Sequence, residues 1–278
     1  MRMVAMDDGV RLRTWTTGTP STLSPVVLLH GGPGMWDYLA PVADMLAPYT
    51  VVHRFDQRGC GGSDLSDGYT MARFVDDVEQ LRRHWAHERW AVLGHSFGAT
   101  LAFDYAVAHP RHTSALGYLS GVGVGDWRSA YQQEKARRLT AAQAARLADL
   151  TARPARSRDE EAEWRALNWC TDHADPVSGW ALAMADACPD VPINTEAHRL
   201  LNGETKRRAD AAVLAQAAAL DLPCWFVHGA ADPRPASAVA ALAAAVPGAR
   251  MHVIDGAGHQ PWHERPAELA TVLRRIIE

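Results

Sequence analysis

Hydrophobic residues in this 278-residue chain fall into short unbroken runs, and these alternate with stretches whose apolar positions recur every three or four residues. The runs are VVLLH at 26–30, TVVHRFD at 50–56, WAVLGH at 90–95, SALGYLS at 114–120, CWFVHG at 224–229 and ARMHVID at 249–255. Apolar segments this short, bounded by turn formers, predict strands buried on both faces, as in a parallel sheet. Between them the spacing predicts helices over Trp36–Leu46, Met71–His87, Phe97–Ala108, Ala236–Ala245 and Pro266–Ile277, the third stopped by Pro110. Strand-helix alternation of this kind implies an α/β fold with a doubly wound, mostly parallel sheet. Ahead of it, VAMDD and GVRLRTWTT around Asp8-Gly9 predict an antiparallel hairpin at the sheet edge.

The alternation stops between Val122 and Asp221, where no strand pattern is visible. Thr140 with Gln143 and Ser157 with Glu160 instead fit the capping box, in which a hydroxyl and a carboxamide or carboxylate each satisfy a free amide at a helix start. The expected organisation is a core domain of residues 1–121 and 222–278, interrupted by a helical lid of residues 122–221.

Composition changes this picture little. A net charge of −4, with arginines scattered rather than gathered in a stripe, argues against a nucleic-acid partner. The first residues carry charges where an export signal needs an apolar segment, and no run is long enough for a bilayer, so a cytoplasmic protein without a membrane partner is expected. Cys60, Cys170, Cys188 and Cys224 are widely spaced and suggest neither a zinc site nor a disulfide framework. No heptad or exposed apolar stripe establishes an oligomer.

The candidate chemistry lies at strand ends. In Gly94-His95-Ser96-Phe97-Gly98 a serine stands between two glycines where a strand meets a helix. A nucleophile on so sharp a turn crowds the residues two positions away, and glycine removes the β-carbons that would clash. A serine hydroxyl needs a base, and the base an orienting acid. His259, in GAGHQPW, and Asp232, in HGAADPRP, each follow a strand in the chain order such a triad requires; Asp255 and Asp126 are the rival acids. An acyl-transfer oxyanion needs donors. The backbone N–H of Phe97 is one candidate, and Gly32, in the glycine-rich loop HGGPG at 30–34, supplies the other.

HGGPG at 30–34, DQRGCGGSD at 56–64, GHSFG at 94–98 and the segments around Asp232 and His259 together resemble the α/β-hydrolase superfamily, and within it the proline iminopeptidase-like branch. The resemblance covers the chain apart from the lid. It implies an α/β-hydrolase fold and cofactor-free, metal-independent cleavage through an acyl-enzyme, with Ser96, Asp232 and His259 as the triad. The implied substrate is a peptide or amide with a free N-terminal proline or similar residue.

Holding a charged amine calls for carboxylates near the acyl site. Members of that branch supply glutamates from the lid, one of them in a Trp-Glu pair, but here Trp169 is followed by Cys170. Glu196 is the expected substrate-binding carboxylate, with Glu204 a poorer candidate. The alternative substrates are esters, lactones or thioesters of a small metabolite; a protein that binds a small ligand without turnover is the reading from another class. Trp36 and Trp262 either wall an acyl pocket or only pack, and Trp127, Trp164, Trp169 and Trp180 either line it or pack the lid. Arg58 and Asp64 are expected to brace their loop, Cys60 to be a buried small residue, and His95 to point away from the serine's chemistry.

Overall fold

The computed structural model of the protein describes residues 1–278. Eight strands form one sheet: β1 (Arg2–Ala5), β2 (Arg11–Thr17), β3 (Val26–Leu29), β4 (Val52–Phe55), β5 (Trp90–His95), β6 (Thr113–Leu119), β7 (Cys224–Gly229) and β8 (Arg250–Ile254). Their order is β1-β2-β4-β3-β5-β6-β7-β8, with β2 antiparallel to both its neighbours and every other pairing parallel. The hairpin β1–β2 turns at Gly9, whose φ of 84° suits a residue without a β-carbon.

Alternation along the buried strands feeds two cores. Val27 and Leu29 of β3 join Val92 of β5 on one face, while Val26, Leu28, Ala91 and Leu93 face the other. The first face is covered by α2 (Met71–His84), α3 (Phe97–Ala108) and α10 (Ala236–Ala245), the second by α1 (Ala40–Leu46) and α12 (Pro266–Ile277). The short α11 (Pro261–Glu264) precedes α12.

Six helices lie between the adjacent strands β6 and β7: α4 (Trp127–Arg138), α5 (Ala141–Ala152), α6 (Arg158–Trp169), α7 (Pro176–Asp186), α8 (Thr195–Arg207) and α9 (Asp210–Ala218). Both expected capping boxes are present, at the starts of α5 and α6. Only a small apolar cluster of Ala166, Cys170 and Ala183 belongs to the insertion itself, so much of its burial comes from lying on the core, where Ala197 and Leu201 of α8 join the first face.

Two helix boundaries differ from the sequence expectation. The helix expected from Trp36 begins at Ala40, because Asp37 turns the chain: its N–H donates to Asp56 and its carboxylate accepts the Leu39 N–H. The helix expected to reach His87 ends at His84, since Ala86 takes a φ of 56°.

β3 and β5 are neighbours whose flanking strands continue in opposite directions, which makes the gap beyond their carboxyl ends the topological switch point. Open α/β sheets bind ligands there. GHSFG ends β5 and HGGPG follows β3, so both motifs face that gap.

Candidate active site

Ser96 caps α3 with φ 57° and ψ −121°, a left-handed conformation costly for a residue with a side chain. The flanking glycines permit the turn through close approach. A β-carbon at Gly94 would stand 1.9 Å from the Gly98 carbonyl oxygen, and one at Gly98 would stand 2.0 Å from the Leu29 carbonyl oxygen. Ser96 Oγ makes no hydrogen bond within the protein and faces a cavity of about 580 Å³.

The HGGPG loop packs directly on this turn: a β-carbon at Gly31 would lie 2.6 Å from Ser96 Cβ. Gly32 has φ 52°, and it and Phe97 line the same cavity as Ser96. As the first residue of α3, Phe97 has no helical carbonyl for its N–H. The buried His30 secures the loop. Its Nε2 accepts the Gln57 N–H at 3.0 Å while its Nδ1–H donates to the Gly31 carbonyl, a division of roles that needs a neutral ring, and burial lowers its pKa accordingly. DQRGCGGSD is thus joined to HGGPG by hydrogen bonds.

His259 Nδ1 donates to Asp232 Oδ2 at 2.6 Å, with the two side chains 6% and 0% exposed. That bond leaves Nε2 with the lone pair. Burial opposes ionisation of Asp232, but the neighbouring His259 and the Arg234 guanidinium outweigh it and hold the carboxyl well below the usual range. The other oxygen, Oδ1, accepts the Arg234 N–H at 2.9 Å and its guanidinium at 3.3 Å. The pair does not itself line the cavity. It reaches the serine turn through His95, whose ring centroid is 4.6 Å from that of His259.

Both nitrogens of His95 are committed away from Ser96. Nε2–H donates to the His259 carbonyl at 2.8 Å, so Nδ1 accepts from the Tyr38 hydroxyl at 2.7 Å, and that hydroxyl accepts the Gly31 N–H at 2.8 Å. One chain of hydrogen bonds therefore ties the glycine loop, the serine turn and the histidine loop together. Tyr38 carries no motif, and sequence reasoning missed it.

The insertion also reaches the histidine. Asp172 accepts the His259 backbone N–H at its carbonyl, 2.7 Å away, and its carboxylate meets Arg234 at 3.0 Å. Arg234 in turn lies 4.4 Å from the Tyr131 ring centre in α4.

Glu196 is exposed at the start of α8, where Asn194 caps the helix, and it does not line the cavity, which sets its position apart from the expected role in holding a substrate. Glu204 accepts the Met71 N–H at 2.8 Å and caps α2. Trp36 is likewise removed from the cavity: it is buried edge-on against Trp169 at 6.3 Å, under the Arg165 guanidinium. Trp262 packs on His95, and Trp169 and Trp180 on the small insertion cluster, whereas Trp127 does line the cavity. Arg58 is held by Asp77 and Asp8, and Asp64 by Arg11. Cys60 is buried, which pushes its thiol up to about 12.

One side-chain cluster has metal-ligand spacing, Glu79 with His109 and His112. It lies at the end of α3 opposite Ser96, and the Glu79 carboxylate already serves Arg82, Arg83 and Tyr105, the two arginines bringing positive charges that oppose a cation. No helix is long and apolar enough to cross a membrane.

Sheet order, strained serine turn, glycine loop and buried Asp–His pair define a protein of the α/β-hydrolase class. The alpha/beta hydrolase family model matches residues 26–272, and the chain belongs to that family. Among curated proteins it is 41% identical over 120 residues to a proline iminopeptidase of Xylella fastidiosa, covering 41% of this chain and 37% of the relative. The matches to curated relatives span between 31% and 40% of those proteins' lengths. Over 99% of the chain the fold is similar to a proline iminopeptidase structure from Mycobacterium smegmatis, with 97% of that chain covered, 22% identity and a TM-score of 0.71. Est816, described as degrading N-acyl homoserine lactones, is similar over 99% of this chain and all of its own, at 20% identity and a TM-score of 0.73.

Proposed function

We propose that the protein is a serine hydrolase working through an acyl-enzyme, and that it releases an N-terminal proline or similar residue from short peptides or amides. The observation that carries the chemistry is the 2.6 Å Asp232–His259 hydrogen bond, which fixes the histidine tautomer beside the strained Ser96 turn. The similarity to proline iminopeptidases supports the substrate class.

In this reading the Ser96 hydroxyl gives its proton to His259 Nε2 as Oγ bonds to the substrate carbonyl carbon. The resulting oxyanion accepts hydrogen bonds from the Gly32 and Phe97 N–H groups. Asp232 keeps the imidazolium oriented and compensates its charge. Collapse of the intermediate expels the leaving amine, which takes the proton from His259. A water, deprotonated by the same histidine, then attacks the acyl-enzyme, releases the acid and restores Ser96. The amine of the acyl residue falls to Asp210, the one carboxylate lining the cavity.

The absence of any glutamate from the cavity wall favours a second reading, an esterase or related acyl hydrolase whose substrate needs no amine. Comparison of kcat/KM for L-prolyl p-nitroanilide, its N-acetyl derivative and p-nitrophenyl butyrate separates the two. Preference for the free amine supports the iminopeptidase; ester turnover without anilide cleavage supports the alternative. Intact hydrolysis in Ser96→Ala would remove both.

A further inference from the structure

The cavity in front of Ser96 is lined by more basic than acidic side chains. Arg128, Lys206, Arg208 and Arg234 line it, against the single carboxylate Asp210. Arg208 and Arg234 are already neutralised, by Asp104 at 2.9 Å and by Asp172 at 3.0 Å. Asp210 is engaged too, accepting the Gly125 N–H at 3.1 Å.

Arg128 differs from these two arginines. It is half-buried, its guanidinium carbon lies 4.3 Å from the Trp127 ring centre, and no acid forms a hydrogen bond or ion pair with it. Asp126 acts on it only at range, because that carboxylate caps α4 by accepting the Ser129 N–H. The residues around Arg128 are donors that the helical repeat aims the same way. Gln132 follows it one turn on in α4, and His198, Asn202 and Lys206 recur at four-residue spacing along the cavity face of α8. The core side of the cavity is apolar at Phe97, Phe103 and Leu242. An unpaired, partly desolvated guanidinium facing a cavity is a binding site for an anion, and its planar fork matches a carboxylate in particular.

We propose that the substrate carries a carboxylate remote from the scissile carbonyl, and that Arg128 binds it with Lys206 adding positive charge. The inference rests on the hydrolase reading above and applies to either leaving group. A short peptide would present its C-terminal carboxylate, whereas an acidic ester would present one on the acyl chain.

Two matched pairs tell these sources apart. L-prolyl-L-alanine is compared with its C-terminal amide, and mono-p-nitrophenyl glutarate with p-nitrophenyl valerate. Loss of one charge-assisted contact corresponds to about tenfold or more in affinity, so at least one carboxylate-bearing member is expected to show about a tenfold advantage in kcat/KM. Advantage in the dipeptide pair places the carboxylate on the leaving group; advantage in the glutarate pair places it on the acyl group. Arg128→Gln is expected to collapse the ratio and Arg128→Lys to keep part of it. Equal rates within both pairs, or a ratio that Arg128→Gln leaves unaltered, overturn the proposal.

Covalent labelling of Ser96 by a fluorophosphonate reports on the hydrolase reading by itself. If that label fails to react, the arginine site is still decided by calorimetric titration with glutarate. A dissociation constant raised about tenfold in Arg128→Gln sustains the site, and equal binding in both proteins overturns it.

Discussion

The carboxylate of Asp172, in the helical insertion, lies 3.0 Å from the guanidinium of Arg234, which itself touches the acid that orients His259. Asp172 therefore acts on the site through another residue, as a positioning group. Neutralising it leaves Arg234 buried with Asp232 as its remaining carboxylate partner, drawing the negative charge of Asp232 toward Oδ1 and away from the imidazole.

Asp172→Asn is accordingly expected to lower kcat by about tenfold, an effect of roughly 1.4 kcal/mol. Loss of a negative charge near His259 also disfavours the imidazolium, so the acidic limb of the kcat/KM profile moves to lower pH. A purely structural role would lower the melting temperature and leave the pH profile in place.

Tyr38 joins the glycine loop to His95 through one hydroxyl. Tyr38→Phe leaves the Gly31 N–H and His95 Nδ1 without that partner in a buried setting, and unsatisfied groups of this kind cost about 1–3 kcal/mol. The expected outcome is a lower denaturation midpoint in urea together with a reduced kcat, since the loop carrying the Gly32 donor loses its anchor.

At position 98 a β-carbon would stand 2.0 Å from the Leu29 carbonyl oxygen, a backbone atom that cannot turn aside. Gly98→Ala must therefore separate α3 from β3, at a cost of about 1–3 kcal/mol or more. Reduced thermal stability and loss of fluorophosphonate labelling at Ser96 are expected together, because the same displacement moves the serine. Labelling at the native rate would show that the turn tolerates the added carbon.

The sheet was legible because its strands are continuous apolar runs punctuated by turn residues, and α3 because Pro110 stops its pattern. Ser96, Asp232, His259 and Gly32 stood out as candidates for a related reason: each sits beside a local constraint, a glycine pair or a strand end, written into adjacent residues. Tyr38, Asp172 and Arg128 carry no such mark. Asp172 and Arg234 are 62 residues apart, and their meeting depends on how the insertion lies on the core. Glu196 shows the converse: its sequence context suited an amine-binding role, but it stands exposed at the start of α8, outside the cavity.

For that reason Glu196→Gln is expected to change kcat/KM by less than about twofold on every substrate, as for most surface substitutions away from a site. A selective loss on amine-bearing substrates would instead require α8 to rotate when substrate binds. The measurement is the ratio of L-prolyl p-nitroanilide to p-nitrophenyl butyrate turnover in the two proteins.

The last expectation concerns stability in acid. The Glu79 side chain is 1% exposed and receives Arg82 at 2.7 Å, Arg83 at 3.0 Å and Tyr105 at 2.9 Å. Burial works against its ionisation, yet the hydrogen bonds from Arg82, Tyr105 and Arg83 overcome it and draw the carboxyl down to about 2 from 4.5. A carboxyl whose folded value is depressed stabilises the fold fully above its unfolded value and loses that contribution as pH falls toward the folded one. The contribution, about 3 kcal/mol by linkage, is therefore present at neutral pH and disappears between pH 4.5 and about 2. Glu79→Gln is expected to lower the unfolding free energy by a comparable amount at pH 7 and to flatten the fall in stability over that acidic window. Urea titrations of both proteins at pH 7 and pH 3 give the two differences directly, and equal differences at the two pH values would locate the acid sensitivity elsewhere, with the depressed carboxyl of Asp232 the next group to replace.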